Sequence, residues 1–271
     1  MTDPDGWALA DFRVPGELTE LVSDLLWAGG VAAIEETQVD GAVVLRTSVD
    51  PSVASAVLAL HPAVTVSDVW VSSSVADTWR QHASPTRITG DVWLVPAWLE
   101  PPVTATSIMI EPYDMFGLGN HPTTVLALRS ALAVGGEGFS VLDVGSGSGV
   151  LSVALAVLRG CRCTATDIAP QARRALMENA ALNEVVGLVQ WSDDLSGAAP
   201  SSHWLVVANI LAPVLRDLAG DLQRACAPGG RIILSGMRED QVEGVVSCYT
   251  SCTPASYDET DGWVAVTLLR A

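Results

Sequence analysis

The amino-acid sequence predicts an α/β protein, in which a mostly parallel β-sheet covered by helices follows a small α+β domain. Short apolar runs alternate with helical segments from Ser140 onward, as in a parallel sheet covered on both faces. A glycine-rich stretch, Gly145–Gly149, directly follows the first of these runs. The order β-α-β-β-α-β over residues 1–72 is typical of a ferredoxin-like domain. We therefore expect a small domain at 1–72, a linker at 73–103 and a large domain at 104–271.

Local patterns assign each element of the small domain. Apolar residues recur at helical spacing from Glu17 to Ala28, and Gly29-Gly30 ends that helix. Asp40-Gly41 is a hairpin signal between two strands. The predicted elements are strand 7–14, helix 17–28, strands 32–37 and 43–47, helix 51–60 and strand 64–71.

The linker and the large domain contain the remaining elements. A helix that holds Trp79 is predicted at 74–82, strands at 92–96 and 107–111, and a helix at 125–132. Pro228-Gly229-Gly230 is predicted to form a turn. The other predicted elements are strands 141–144, 161–166, 188–191, 204–208 and 231–235, helices 150–158, 170–181, 213–226 and 240–249, and a closing antiparallel hairpin of strands 255–258 and 263–269 around Asp261-Gly262.

The glycine stretch and a later carboxylate together predict a nucleotide-type cofactor site. Glycines let a ligand approach the backbone closely, and a carboxylate at the end of the next strand accepts hydrogen bonds from ribose hydroxyls. Asp167 ends that strand, 22 residues after Gly145. The loop does not fit the dinucleotide pattern Gly-x-Gly-x-x-Gly/Ala, because its sixth position is Val150. Its form is Asp143-x-Gly145-x-Gly147-x-Gly149.

The charge of the chain limits its partners. The formal net charge is −17, and all 14 basic residues are arginine. Nucleic acid is therefore not expected as a partner, because binding phosphates requires clustered cations. An acidic enzyme attracts a basic protein substrate, although solubility alone also explains the charge.

Composition also sets expectations for metals, membranes and location. The five cysteines are scattered and do not form a zinc-like pattern with histidines, so no metal site is expected. No membrane span and no signal peptide are recognisable. We expect a cytoplasmic protein that acts as a monomer.

Four motifs carry a family resemblance. The loop Phe116–Thr124, Phe-Gly-Leu-Gly-Asn-His-Pro-Thr-Thr, resembles Phe-Gly-Thr-Gly-Thr-His-Pro-Thr-Thr of ribosomal protein L11 methyltransferases. Asn209–Ala212 is similar to their Asn-Ile-Leu-Ala, Trp93–Trp98 to their Trp-x-x-Pro-x-Trp and Asp167–Ala172 to their Asp-Ile-Asp-Pro-Gln-Ala. The resemblance extends from about Asp77 to the last residue.

The resemblance implies a Rossmann-like class I methyltransferase sheet and S-adenosyl-L-methionine as cofactor. It also implies that methyl groups pass to lysine side chains and to an N-terminal amine of ribosomal protein L11, which the small domain grips. By motif matching, cofactor contacts fall on Thr124, Gly145, Asp167 and Asn209, and Gly147 lies in the same loop. Phe116 either covers the cofactor or packs against apolar neighbours.

Asn209 and Ile210 are the predicted catalytic residues. A neutral amine attacks an already activated methyl group, so the protein mainly has to align the reactants and exclude water. The Asn209 side-chain carbonyl and the Ile210 backbone carbonyl are placed to accept the amine's N–H bonds at the end of a strand. The alternative is that Asn209 only caps that strand.

Several assignments stay open on sequence alone. His121 either shuttles a proton or fixes its loop. Thr123 and Thr124 are expected to cap the following helix. Asp193 or Asp194 either binds adenine or lies in a solvated loop.

Tyr113, Leu118 and Asn120 depart from the family pattern, which has glycine, threonine and threonine there. These departures keep three alternatives open: another protein substrate, a small-molecule substrate, or a non-catalytic cofactor-binding module.

Overall fold

The computed structural model describes residues 8–31, 34–39, 41–69, 83–113, 117–195 and 200–271. The chain divides into two compact units, Met1–Ala83 and Ser84–Ala271. Strands at 86–96, in the stretch that the sequence analysis assigns to a linker, belong to the second unit. The helix predicted at 74–82, with Trp79, lies outside the described residues.

The first unit is a four-stranded antiparallel sheet with two helices. Its elements are β1 (Ala8–Pro15), α1 (Thr19–Ala28), β2 (Glu35–Val39), β3 (Ala42–Val49), α2 (Pro51–Leu58) and β4 (Thr65–Val69). The strands pair in the order β2-β3-β1-β4. The core forms because alternate side chains of β1 and β3 point to the same face, where Phe12 and Leu45 meet Leu26 of α1.

The second unit begins with a three-stranded sheet. It contains β5 (Thr86–Thr89), β6 (Val92–Pro96) and β7 (Thr106–Ile110). β5 pairs antiparallel and β7 parallel to the central β6. β5 was not predicted, because its four residues, Thr-Arg-Ile-Thr, form no apolar run.

A seven-stranded mixed sheet forms the rest of the second unit. Its elements are α3 (Pro122–Ala133), β8 (Ser140–Val144), α4 (Val150–Arg159), β9 (Arg162–Thr166), α5 (Ala172–Leu182), β10 (Val189–Trp191), β11 (His203–Asn209), α6 (Ala212–Asp217), α7 (Ala219–Ala225), β12 (Cys226–Arg238), α8 (Val242–Val246), β13 (Cys252–Thr260) and β14 (Trp263–Arg270). The strand order is β10-β9-β8-β11-β12-β14-β13. The first five strands are parallel, while β14 runs antiparallel to both β12 and β13.

Apolar side chains of the central strands fill a separate core on each face of this sheet. Along β11, Leu205 and Val207 belong to one buried cluster, and Val206 and Ala208 belong to the other. A strand that is buried on both faces is a nearly continuous apolar run, and this run is why β11 could be predicted from the sequence.

Apart from β5 and shifted element ends, such as the helix predicted at 240–249 that spans Val242–Val246, two elements differ from the sequence prediction. The helix expected at 213–226 is divided at Leu218, whose ψ of 0° leaves the helical region. The turn expected at Pro228-Gly229-Gly230 lies inside β12, where the pairing with β11 jumps from Cys226 to Arg231. The intervening residues form a bulge, with Gly229 at a φ of +75°.

Candidate functional site

The strand order places a crevice between β8 and β11. From β8 the chain proceeds to β9 and β10 on one side of the sheet, whereas β11 and β12 lie on the other. Ligands of such sheets bind at this reversal, outside the carboxyl ends of the strands. β8 ends at Val144, whose register partner Ala208 immediately precedes Asn209. Gly145 and Asn209 therefore both lie at the mouth of the crevice.

The glycine loop needs its glycines for backbone conformation and for space. Gly145, Gly147 and Gly149 have φ values of +73°, +53° and +80°, a region that other residues rarely adopt. A Cβ atom at Gly145 would overlap Cγ2 of Ile210. The loop is anchored to the end of β9, because the Gly145 N–H donates to the Thr166 carbonyl at 2.9 Å.

Asp167 lies beside this loop, as the sequence predicts. Its Oδ2 accepts from the Gly147 N–H at 2.8 Å, and its Oδ1 accepts from the Ala169 N–H at 2.9 Å. A carboxylate offers about four lone-pair positions, so this oriented group retains acceptor capacity for ligand hydroxyls. The next residue, Ile168, is fully exposed. Ile168 was not predicted as a site residue, although an apolar residue directly after a strand-end carboxylate was a usable signal.

Two buried polar atoms near the loop have no hydrogen-bond partner in the described part of the chain. Ser146 Oγ is one, and Oδ1 of the completely buried Asp143 is the other. Asp143 Oδ2 accepts from the N–H and hydroxyl of Ser152 at 3.1 and 2.7 Å. Burial raises the pKa of Asp143 to about 6, and the nearby charge of Asp167 adds to this. Buried polar groups normally have partners, so these two atoms suit a polar ligand or ordered water.

Asn209 and Thr124 are brought together from strand and helix. Asn209 is the last residue of β11, and its Nδ2 donates to Oγ1 of the fully buried Thr124 at 3.3 Å. Its Oδ1 has no hydrogen-bond partner among the described residues.

The Ile210 backbone is fixed by β12. Its N–H donates to the Ser235 carbonyl at 3.1 Å. Gly236, with a φ of +88°, packs so closely that a Cβ there would lie 2.9 Å from the Ile210 nitrogen. Both predicted catalytic residues therefore have defined positions at the crevice.

His121 begins helix α3 as its N-cap. Its Nδ1 accepts from the Thr123 N–H at 3.3 Å and lies 2.7 Å from the Thr123 hydroxyl. Its ring packs edge-on against Trp263, with ring centroids 5.1 Å apart. Burial lowers the pKa of His121, which favours the neutral ring. These contacts favour the interpretation that His121 fixes its loop.

The remaining sequence-predicted positions are less central. Phe116 lies outside the described residues. Asp193 accepts from the Trp191 indole N–H at 2.6 Å. Tyr113 is 37% exposed and has a φ of +54°, in the region that favours glycine. Leu118 is half-buried and Asn120 exposed.

The described ranges, 8–31, 34–39, 41–69, 83–113, 117–195 and 200–271, contain neither a metal cluster nor a membrane-spanning helix. Within them, no group of three or more histidine, cysteine, aspartate or glutamate residues is arranged to hold a metal ion. Nor does any helix in those ranges have the length and apolar character needed to cross a membrane.

Comparison with known proteins identifies the family. A family model described as ribosomal protein L11 methyltransferase matches residues 35–271. The chain is 37% identical over 211 residues to a ribosomal protein L11 methyltransferase of Methylococcus capsulatus, covering 74% of this chain and 71% of that protein. It is 36% identical to one of Symbiobacterium thermophilum, covering 72% and 65%.

A solved structure shows the same similarity. The ribosomal protein L11 methylase of Lactobacillus delbrueckii subsp. bulgaricus superposes with a TM-score of 0.63 at 28% identity, covering 69% of this chain and 99% of that one. The chain spans between 58% and 71% of the length of the curated relatives it matches. The predicted resemblance and class I methyltransferase fold are confirmed, and the chain belongs to the ribosomal protein L11 methyltransferase family.

Proposed function

We propose that this chain transfers methyl groups from S-adenosyl-L-methionine to amine nitrogens of ribosomal protein L11, on lysine side chains and the N-terminal amine. Family membership supports the reaction and the substrate. The observation that carries the proposal is the convergence of Gly145, Thr124 and Asn209 at the crevice, with Asp167 beside the same loop. This arrangement places a cofactor-binding loop next to a hydrogen-bond acceptor for an amine.

The donors and acceptors of the crevice fit this cofactor. The Asp167 carboxylate suits the ribose hydroxyls, and the exposed Ile168 side chain offers an apolar surface for the adenine ring. The positive φ values of Gly145 and Gly147 set the backbone course of the loop beside which the cofactor would lie. The partnerless Ser146 hydroxyl and Asp143 carboxyl suit the charged amino-acid end of the cofactor. When bound, S-adenosyl-L-methionine supplies a methyl group activated by a sulfonium.

Asn209 and Ile210 would orient the amine. A nitrogen attacks only through a free lone pair, so the amine has to arrive neutral. Asn209 Oδ1 and the Ile210 carbonyl accept its N–H bonds and so aim that lone pair at the methyl carbon. Because the Asn209 amide donates to Thr124, its oxygen is turned away from the helix. Alignment of two reactants is the largest contribution expected from such a site.

Substrate recognition is assigned to the first unit. Its strand order, β2-β3-β1-β4, supports the ferredoxin-like assignment, and we place the substrate-gripping domain at 1–72. The sequence analysis predicts a linker at 73–103 and the methyltransferase domain at 104–271. Because β5 and β6 belong to the second unit, we propose that the methyltransferase domain includes this unit from Ser84 onward. The antiparallel pair β13–β14 is proposed as the closing hairpin of the family. A net charge of −17 favours a basic protein substrate over nucleic acid. The proposed enzyme is a cytoplasmic monomer without a metal.

Labelling with the cofactor tests this function. The chain is incubated with S-adenosyl-L-methionine carrying a labelled methyl group and purified ribosomal protein L11, and the product mass gives the number of methyl groups. The proposal expects label on L11 that is lost when its amines are acetylated. Label on a small molecule instead, or cofactor binding without any turnover, would support the alternatives raised by Tyr113, Leu118 and Asn120.

A further inference from the structure

A buried side chain, that of Asn179, connects the glycine loop to Glu111, the residue after β7. Asn179 of α5 is completely buried. Its Oδ1 accepts from the Glu111 N–H at 2.9 Å, and its Nδ2 donates to the Glu111 carbonyl at 2.8 Å. The same Nδ2 donates to the carbonyl of Ser148, in the glycine loop, at 2.9 Å. We propose that Asn179 is a positioning residue for cofactor binding, an inference that rests on the proposed function.

A second connection links the same loop residue to Gly117. The Ser148 hydroxyl donates to the Gly117 carbonyl at 2.6 Å, and this bond is buried. Gly117 has a φ of +108°, and a Cβ there would lie 2.8 Å from Ser148 Oγ. Ser148 is therefore attached to Glu111 through Asn179 and to Gly117 directly. A shift of the glycine loop has to move both attachments.

This arrangement explains why a polar residue occupies a buried helix position. The buried face of α5 otherwise consists of Ala172, Ala175, Leu176 and Ala180. Burying an amide there is unfavourable unless its hydrogen bonds are made, and Asn179 makes three. An apolar residue would pack but could not fix the loop. The amide thus sets where the loop lies relative to Glu111.

Asn183, one helical turn further on, provides a matched control. Its Oδ1 accepts from the Met109 N–H at 2.9 Å, and its Nδ2 donates to the Met109 carbonyl at 2.7 Å. Asn183 therefore makes the same two side-chain hydrogen bonds to the backbone of Met109, in β7, that Asn179 makes to the backbone of Glu111. Its other hydrogen bond goes to the Asn179 carbonyl at 2.8 Å, within the helix. No described hydrogen bond joins Asn183 to the glycine loop.

The experiment compares Asn179→Ala with Asn183→Ala in the full chain. Calorimetric titration with S-adenosylhomocysteine measures cofactor-site affinity, and thermal denaturation measures stability. We expect Asn179→Ala to weaken binding about tenfold, the equivalent of one lost buried interaction. Asn183→Ala is expected to change binding by less than about twofold at a comparable loss of stability. The KM for S-adenosyl-L-methionine should rise with the dissociation constant in the Asn179 variant alone.

A second pair keeps the inference testable if Asn179→Ala does not fold. Ser148→Ala removes the hydroxyl that donates to Gly117, and Ser148→Thr restores a hydroxyl. We expect weakened binding in Ser148→Ala and partial recovery in Ser148→Thr. Equal binding losses in the Asn179 and Asn183 variants, or unchanged binding in both Asn179→Ala and Ser148→Ala, would overturn the inference. A parent chain that does not bind S-adenosylhomocysteine would instead contradict the proposed function.

Discussion

Replacing Asn209 by alanine tests the catalytic assignment directly. In the folded protein the substitution removes one neutral hydrogen bond, to Thr124, at the long distance of 3.3 Å. Such a bond contributes about 0.5–1.5 kcal/mol to stability, and the length places this one at the lower end. In the reaction the same substitution removes an acceptor that orients the amine. We expect turnover to fall about 100-fold, or about 2.7 kcal/mol in the barrier.

Ser235→Ala is the matched control for this substitution. Ser235 is the register partner of Asn209 on β12, and it also contacts helix α3, through a hydrogen bond from its hydroxyl to the Thr123 carbonyl at 3.1 Å. Both substitutions therefore remove a hydrogen bond between a sheet strand and the same helix, but of the two residues Asn209 alone is proposed to present an acceptor to the crevice. Turnover of labelled cofactor on L11 and calorimetric affinity for S-adenosylhomocysteine are measured for both variants.

The expected pattern is a split between turnover and binding. An acceptor used in the transition state lowers kcat when it is lost, with a smaller effect on cofactor affinity. Asn209→Ala should therefore turn over slowly while binding within a few-fold of the parent, and Ser235→Ala should keep most of its turnover. A parent-like rate in Asn209→Ala, or equal losses in both variants, would show that Asn209 only caps its strand.

Three further predictions concern the cofactor loop. Asp167→Ala should weaken S-adenosylhomocysteine binding tenfold or more in calorimetry, because a charged acceptor contributes about 1.5–3 kcal/mol per hydrogen bond. Gly145→Ala should lower the free energy of unfolding by about 2 kcal/mol or more in urea denaturation, since it adds a left-handed alanine and an overlap with Ile210. Asp143 has a folded pKa of about 6 against 3.8 unfolded, so its stabilising contribution is complete below pH 3.8 and is lost as pH rises through about 6. The stability of Asp143→Asn relative to the parent should therefore increase by on the order of 2–3 kcal/mol from about pH 4 to pH 7, and a flat difference would contradict the assignment.

Much of the larger unit could be predicted because its local and tertiary signals agree. β8 and β11 are buried on both faces and are therefore mostly apolar, and Gly145 and Asp167 follow strands at the expected spacing. The bulge in β12 could not be predicted from the sequence. Pro228-Gly229-Gly230 has the same local pattern whether it ends a strand or interrupts one. Only the pairing with β11 distinguishes the two.

The supporting residues of the site escaped prediction for a different reason. Asn179 is 68 residues from Glu111 and 31 from Ser148, so its partners are known only after the chain has folded. The sequence did carry one sign of its importance, an asparagine on the apolar face of a predicted helix. A buried amide in such a position requires partners, and it therefore indicates a specific tertiary contact.

The structure also bears on the departure at Tyr113, which raised doubt about the substrate. Its φ of +54° shows that the chain keeps a left-handed turn there without glycine, at a cost of about 1–2 kcal/mol. The side chain supplies compensating contacts. The Arg174 guanidinium lies 5.9 Å from the ring centroid, and burial together with a hydrogen bond to Glu178 raises the pKa of the phenol to about 12. Glu111, two residues before Tyr113, is independently held by Asn179. Tyr113 is therefore attached to α5 through Arg174 and Glu178, and this structural role accounts for the departure without a different reaction. The half-buried Leu118 and the exposed Asn120 are then the departures to examine when the protein substrate is varied.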